Sequence, residues 1–575
     1  MKKIKLTTFL FALVVVLACS TNIFAGGAHV IVLNADGPGE GFNDPTPVAP
    51  VGGNPGTTRG QQRLIAFQFA ADTWGATLDS NQDIFVVAAF NPLGPNVLGA
   101  AGAWDVFSDF PGVGLYPGAE FPATWYGSAL ADKRAGADQD STAPDIVAQF
   151  SSDFNFYLGL DNNHGAQNDL VTVLLHELGH GLGFQNFVNE ATGANLGGFT
   201  DGGRFYPVQT DIFARHTLDT TNGLYWDQMT QAQRQASATR FGRVVWDGPA
   251  VNAGVPLVLS PGSPEVRVLT PAAIAGSYQF GTAVFGPPLS SPGVTAPIIA
   301  AQDAADAAGP TTTDGCTALT NAAAVAGNIA LIERGTCGFA VKARNATNAG
   351  AAGVIIYNQA ANANAAPPLM GGDGINDPFV TIPAVSMTRP DGLAIVGQLP
   401  TGVTGSLSLN LSILAGANEA GMARLYMPFP VSGGSSGSHY DTVARRNLLM
   451  EPFINGDLTH NVKAPDDLTL ELLRDVGWFP DADLDGASDG IDCEPHSDLA
   501  ATVVIGGCNS GVPNTLFSTG CTISDLITHI AATSKNHGKF VNSVARLSET
   551  LVANGTITSA QKDALLSCAG SANIP

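Results

Sequence analysis

The sequence predicts an α+β chain: a mixed domain split by a β-rich insertion, then a small cation-binding repeat and a disulfide-containing helical module. Three observations predict it. Apolar spacing in the first part alternates between strand and helix periods. Between about residues 266 and 409 a run of short apolar segments has the texture of a separate small module. Beyond residue 480 come regularly spaced aspartates and then four of the cysteines.

At 575 residues the chain can bury several cores. Its 67 glycines and 36 prolines, with 13% charged residues, point to many turns rather than a helical bundle. A net charge of -23 argues against nucleic acid or an anionic membrane as partner. The acidic excess suits an extracellular protein that also binds calcium.

The chain opens with Lys2, Lys3 and Lys5, an apolar run from Phe9 to Ala18, and a cleavage site at Ile23-Phe24-Ala25 that ends on the small Ala25. This reads as a secretory signal peptide over residues 1–25, too short for a lasting membrane span. Lipid attachment at Cys19 is the alternative. No later segment is long and apolar enough to cross a bilayer. An opening strand is expected over Ala28 to Asn34, then a Gly/Pro-rich loop to about Gly60. Leu64, Phe67, Ala70, Ala71 and Trp74 give Gln61 to Leu78 the spacing of an amphipathic helix. Strands follow at Ile84 to Phe90 and Asp145 to Phe150; alternation in the second suits an edge strand lining a cleft, or equally an ordinary sheet strand.

From Asn168 to Phe184 the sequence predicts a helix, with Asn168 as cap, Asp169 favourable at its positive end, and Gly181 and Gly183 ending it. Its histidines, His176 and His180, lie on one face one turn apart, where two imidazoles reach the same ion. Glu177 points to the side of that pair, placed to take a proton from a water that the metal activates. Burying these three groups without a partner would be costly, so zinc is expected there.

A catalytic zinc needs a third protein ligand. The order His-Glu-x-x-His-x-x-Gly, from His176 to Gly183, resembles the metzincins, in which the glycine turns the chain and a third ligand follows shortly. That place is Asn186, and a neutral amide is a poor zinc ligand. Glu190, in a thermolysin-like arrangement, follows His180 too closely. Far downstream, Ser438-His439-Tyr440-Asp441 precedes Leu448-Leu449-Met450-Glu451-Pro452. This resembles the leishmanolysin-like branch of metzincins, where an insertion separates the helix from the third histidine and a methionine turn follows. The resemblance implies His439 as third ligand and Met450 as the turn residue beneath the zinc. It also implies a catalytic domain in two parts, residues 26–265 and 410–480, closed by an amphipathic helix from Asp466 to Trp478. His164 is the best spare histidine.

The inserted segment, residues 266–409, carries Gly327 to Phe339 as a strand running into a cysteine turn, a helix from Lys342 to Ala351, and strands at Gly353 to Asn358 and Ile382 to Met387. Through Arg334-Gly335-Thr336-Cys337 and the Ala-Gly-Ala-Ala-Gly-Val-Ile-Ile segment it resembles a protease-associated (PA) domain, a module implied to bind or admit substrates without supplying catalysis.

Asp481, Asp483, Asp485, Asp489 and Asp492 alternate around Gly486, the oxygen pattern calcium requires. With Cys493 following at once, residues 481–498 resemble a thrombospondin type 3 repeat. Residues 499–575 contain a strand at Thr502 to Ile505, a loop between Cys508 and Cys521, and helices, the last opened by a Thr558–Gln561 capping box. With Cys19 set aside six cysteines remain, an even number that favours disulfides in an exported chain. Cys316 and Cys337 are nearest neighbours; the pairing of Cys493, Cys508, Cys521 and Cys568 stays open.

These readings converge on a secreted zinc endopeptidase acting on protein or peptide substrates. Its rivals are a non-catalytic adhesion or matrix-binding protein with a structural zinc, which has no use for Glu177 as a base, and another zinc hydrolase such as an amidase.

Overall fold

A computed structural model describes residues 27–113, 116–479, 493–494, 497–517 and 520–574. The leader Met1 to Ala25, with Cys19, and the aspartates Asp481, Asp483, Asp485, Asp489 and Asp492 lie outside the described residues. The chain divides into two units, one to Val476 and one from Gly477.

The first unit begins with β1 (His29–Asn34), α1 (Arg59–Gly75), β2 (Asp83–Asn91), β3 (Gly99–Ala103), β4 (Ile146–Ser151) and α2 (Leu170–Leu182). Thr58 and Gln61 form a reciprocal capping box that starts α1. The strands lie in the order β1-β2-β4-β3, with β1, β2 and β4 parallel and β3 antiparallel to β4. Alternate residues of β2 (Ile84, Val86, Ala88 and Phe90) are buried, as period-two patterning requires when one face meets helices. Helix α1 closes on α2 through Trp74, whose indole N–H donates to the Leu175 carbonyl at 3.1 Å.

Of the two readings offered for Asp145 to Phe150, the ordinary sheet strand holds and the edge strand does not: Ile146–Ser151 lies between β2 and β3, and the edge on that side is Gly99–Ala103. Its alternation reflects helices on one face rather than a missing neighbour. The true edge, Gly99-Ala100-Ala101-Gly102-Ala103, has no β-branched or aromatic residue, so nothing in its composition announces a strand.

The insertion folds around one eight-stranded sheet. Its inner strands Ile329–Glu333, Gly353–Tyr357 and Ala384–Met387 run parallel, with the helix Phe339–Asn348 crossing between the first two. A stem of two antiparallel strands, Pro261–Thr270 and Thr404–Leu414, carries the module and extends past the limits set from sequence at both ends. Pro261 and Leu414 are paired neighbours on that stem. The chain therefore leaves and re-enters the first domain at nearly one point, so the insertion need not separate the segments it interrupts. Cys316 and Cys337 are bonded within it.

After the stem, the Leu425 N–H donates to the Val244 carbonyl and the Ala423 carbonyl accepts from the Trp246 N–H. The predicted closing helix forms over Thr469–Asp475. Its Asp475 accepts from the Trp246 indole at 2.9 Å and from the N–H groups of Ala250 and Val251 at 2.8 and 3.1 Å, joining the chain before and after the insertion. Among the described residues no helix is long and apolar enough to cross a membrane.

The second unit pairs Thr502–Ile505 with Cys508–Pro513 as a hairpin and packs it against helices Ile523–Thr533, His537–Ala553 and Ser559–Ser571. Cys493 is bonded to Cys521 and Cys508 to Cys568, which resolves the open pairing. The capping box of Thr558 and Gln561 is present.

Candidate metal centre

Helix α2 is buried along its whole length, which explains why its sequence is apolar all round except at the site. Its cap is Asp169 rather than Asn168: the Asp169 carboxylate accepts from the Thr172 N–H at 3.0 Å and the Thr172 hydroxyl at 2.7 Å. His460 secures the same carboxylate from outside the helix at 2.6 Å. Gly181 does not end the helix. It lies inside it, where a β-carbon would stand 2.4 Å from Ile146 of β4, so glycine lets helix and sheet approach. The exit is Gly183, whose φ of +133° only glycine adopts without strain.

His176, His180 and His439 meet at the end of this helix. Their Nε2 atoms lie 3.2 Å (His176 to His180), 3.2 Å (His180 to His439) and 3.3 Å (His176 to His439) apart. All three are buried. Each Nδ1 meets a backbone carbonyl: His176 that of Leu449 at 2.7 Å, His180 that of Phe184 at 2.8 Å, and His439 that of Ser435 at 2.8 Å. A carbonyl only accepts, so every Nδ1 carries its proton and every Nε2 presents a lone pair to the other two. Burial lowers the pKa of His176 to about 4 and of His180 to about 3, and drives His439 well below its ordinary value, with neighbouring imidazoles adding to the last two. Three converging lone pairs with no proton among them repel unless a cation lies between. Two imidazole nitrogens bound to one tetrahedral zinc at about 2.1 Å lie about 3.4 Å apart. The donor set and its spacing therefore fit zinc.

Glu177 is buried beside the triad, its carboxyl pushed up to about 8 by desolvation, while the Ala101 backbone N–H pulls the other way. Met450 lies under the helix: its Sδ would be 2.9 Å from a β-carbon on Gly179, so the methionine needs a glycine above it. Its neighbour Leu449 supplies the carbonyl that orients His176 and is fixed through its own N–H to the Asp467 carboxylate at 2.6 Å.

The other candidates lie apart. His164 is half-buried, its Nδ1 2.7 Å from the Gln167 carbonyl. Glu190, its carboxyl pushed up to about 7 by burial, stands beside Asn186. Asn186 turns to Ser438. Among the described residues the histidine triad is the only group of three or more His, Cys, Asp or Glu side chains close enough together to hold an ion. Sequence reasoning missed the three orienting carbonyls and the edge strand facing Glu177. Backbone carbonyls leave no residue signature.

Residues 294–395 match the family described as PA domain. Over 89 residues the chain is 43% identical to the ER degradation-enhancing alpha-mannosidase-like protein 3 of Homo sapiens, covering 15% of this chain and 10% of the relative. Over 52 residues it is 64% identical to an aminopeptidase of Pseudomonas aeruginosa (strain UCBPP-PA14), covering 9% and 10%. The chain thus spans about a tenth of the length of these curated relatives. A zinc aminopeptidase of Bacillus subtilis matches in structure with 24% identity and a TM-score of 0.19, covering 28% of this chain and 36% of that one. The two curated relatives carry names for different chemistries, so a shared short segment does not convey either activity. The module inserted between the two-histidine helix and His439 is a PA domain.

Proposed function

We propose that this chain is a secreted zinc-dependent endopeptidase that hydrolyses peptide bonds of extracellular proteins, its catalytic domain of the metzincin type and nearest the leishmanolysin-like branch. The observation that carries the reading is the convergence of three neutral, buried imidazoles, one from 259 residues downstream, beside a buried carboxyl. A zinc ion bound there would polarise the substrate carbonyl and make water a nucleophile near neutral pH. The chain supplies the remainder. His176, His180 and His439 hold their Nε2 lone pairs inward through three carbonyls. Glu177 takes the proton of the attacking water on a carboxylate oxygen and hands it to the departing amine nitrogen. Strand β3, at the sheet's edge, runs beside Glu177, its Ala101 and Ala103 N–H groups bound to the Glu177 and Gln185 side chains.

Casein blocked at its amino terminus tests this. Internal cleavage is expected, together with its loss in Glu177→Gln while one zinc per chain is retained and the loss of both in a chelator-treated sample. If only peptides with a free amine are shortened, the activity is that of an exopeptidase instead. If no peptide is cut while zinc stays bound, the non-catalytic, structural-zinc reading prevails. Secretion rests on the leader at residues 1–25 and calcium on Asp481, Asp483, Asp485, Asp489 and Asp492, both from sequence. A rise in melting temperature with added calcium, lost in Asp483→Ala, would test the calcium assignment.

A further inference from the structure

Asn186 is buried, with 4% of its surface exposed. Its backbone N–H and its side-chain Nδ2 both donate to the Ser438 hydroxyl, at 3.2 and 2.8 Å. The Val188 N–H donates to its Oδ1 at 2.9 Å, which fixes the amide's orientation so that only the NH2 end can face Ser438. Ser438 immediately precedes His439. On its other side Gly437, at φ +77°, lies so close to Asn186 that a β-carbon there would stand 2.7 Å from Nδ2. One buried amide thus grips the loop carrying His439 from the segment that leaves the two-histidine helix, across 252 residues of sequence.

We infer that Asn186 and Ser438 form a positioning pair: the amide locks the returning loop so that the His439 imidazole closes the metal site assembled by His176 and His180. The inference rests on the zinc-site reading. A side chain two residues past the Phe184 carbonyl that orients His180 couples the orientation of both imidazoles. An amide suits this place because it donates to the serine without competing for the metal or adding charge next to it. The second bond from Asn186 to Ser438 comes from the backbone, so removing the side chain loosens the loop without freeing it.

Zinc affinity measured by chelator competition, with the visible spectrum of the cobalt-substituted protein, tests the pair in the full chain. Asn186→Ala and Ser438→Ala are each expected to weaken zinc binding about tenfold and to change the cobalt spectrum. Their double variant should be no weaker than the worse single one, and Ser438→Thr, which keeps a hydroxyl, should bind as wild type. Single variants with wild-type affinity and spectrum, or losses that add in the double variant, would overturn the pairing. His439→Ala serves as reference: if it too binds zinc as tightly as wild type, the site reading falls first and the positioning role falls with it.

Discussion

Gly99 on the edge strand faces Glu177 so closely that a β-carbon on it would stand 2.7 Å from Oε1 and 2.8 Å from Cγ. The backbone at Gly99 does not need glycine, since its φ is not in the left-handed region. Only the carboxylate's place does. In Gly99→Ala the chain should fold and bind zinc as before, with Glu177 displaced from the reacting water. We expect kcat to fall at least about tenfold with zinc content unchanged, within the range that a positioned proton acceptor contributes. An unaltered kcat would mean that Glu177 reaches its working position by another path.

The two-histidine helix was legible because a buried helix that must also bind metal has almost no freedom in composition: apolar everywhere, imidazoles one turn apart, glycine at Gly183 for the exit. His439 was legible only through family likeness, because 259 intervening residues erase any local spacing from His180. Structure supplies the missing reason, the paired stem residues Pro261 and Leu414 that bring the chain back where it left. Gly99–Ala103 was illegible as a strand. Its small residues make room for Glu177 and for Gln185, beside Gly102, and that demand opposes the β-branched residues that would have marked it. Asp169 rather than Asn168 caps the helix through Thr172, and the same carboxylate meets His460, which sequence cannot place beside it.

Asp132, on the helix Ser128–Ala135, and Asp145, at the start of β4, are buried carboxyls sharing a hydrogen bond. Gln139 N–H donates to Asp132 at 2.9 Å and Phe85 N–H to Asp145 at 2.8 Å. Burial first, then the bond to Asp145, pushes Asp132 up to about 8. An unfolded aspartate titrates at about 4, so between these values the native state binds more protons than the unfolded one. Stability from this group is full in acid and drains as the pH climbs through about 8. Asn at 132 carries a donor that never titrates. Melting curves of Asp132→Asn against wild type should therefore separate in favour of the variant by about 2 °C or more between pH 5 and pH 8; a gap independent of pH would rule the shared proton out.

The disulfide Cys316–Cys337 closes a span of 21 residues inside the PA domain, and the buried Lys342 ammonium lies 3.4 Å from the Cys316 sulfur. Replacing both cysteines by serine should cost the module about 3 kcal/mol. The stem confines that loss. Pro261 and Leu414 are paired at its base, and the helix Thr469–Asp475 grips Trp246 and Ala250 independently of the module. Limited proteolysis should therefore cut the variant within residues 294–395 much faster than wild type, while zinc affinity stays the same. A parallel fall in zinc affinity would show that the insertion is coupled to His439 through the stem, and that the module does more than hang from it.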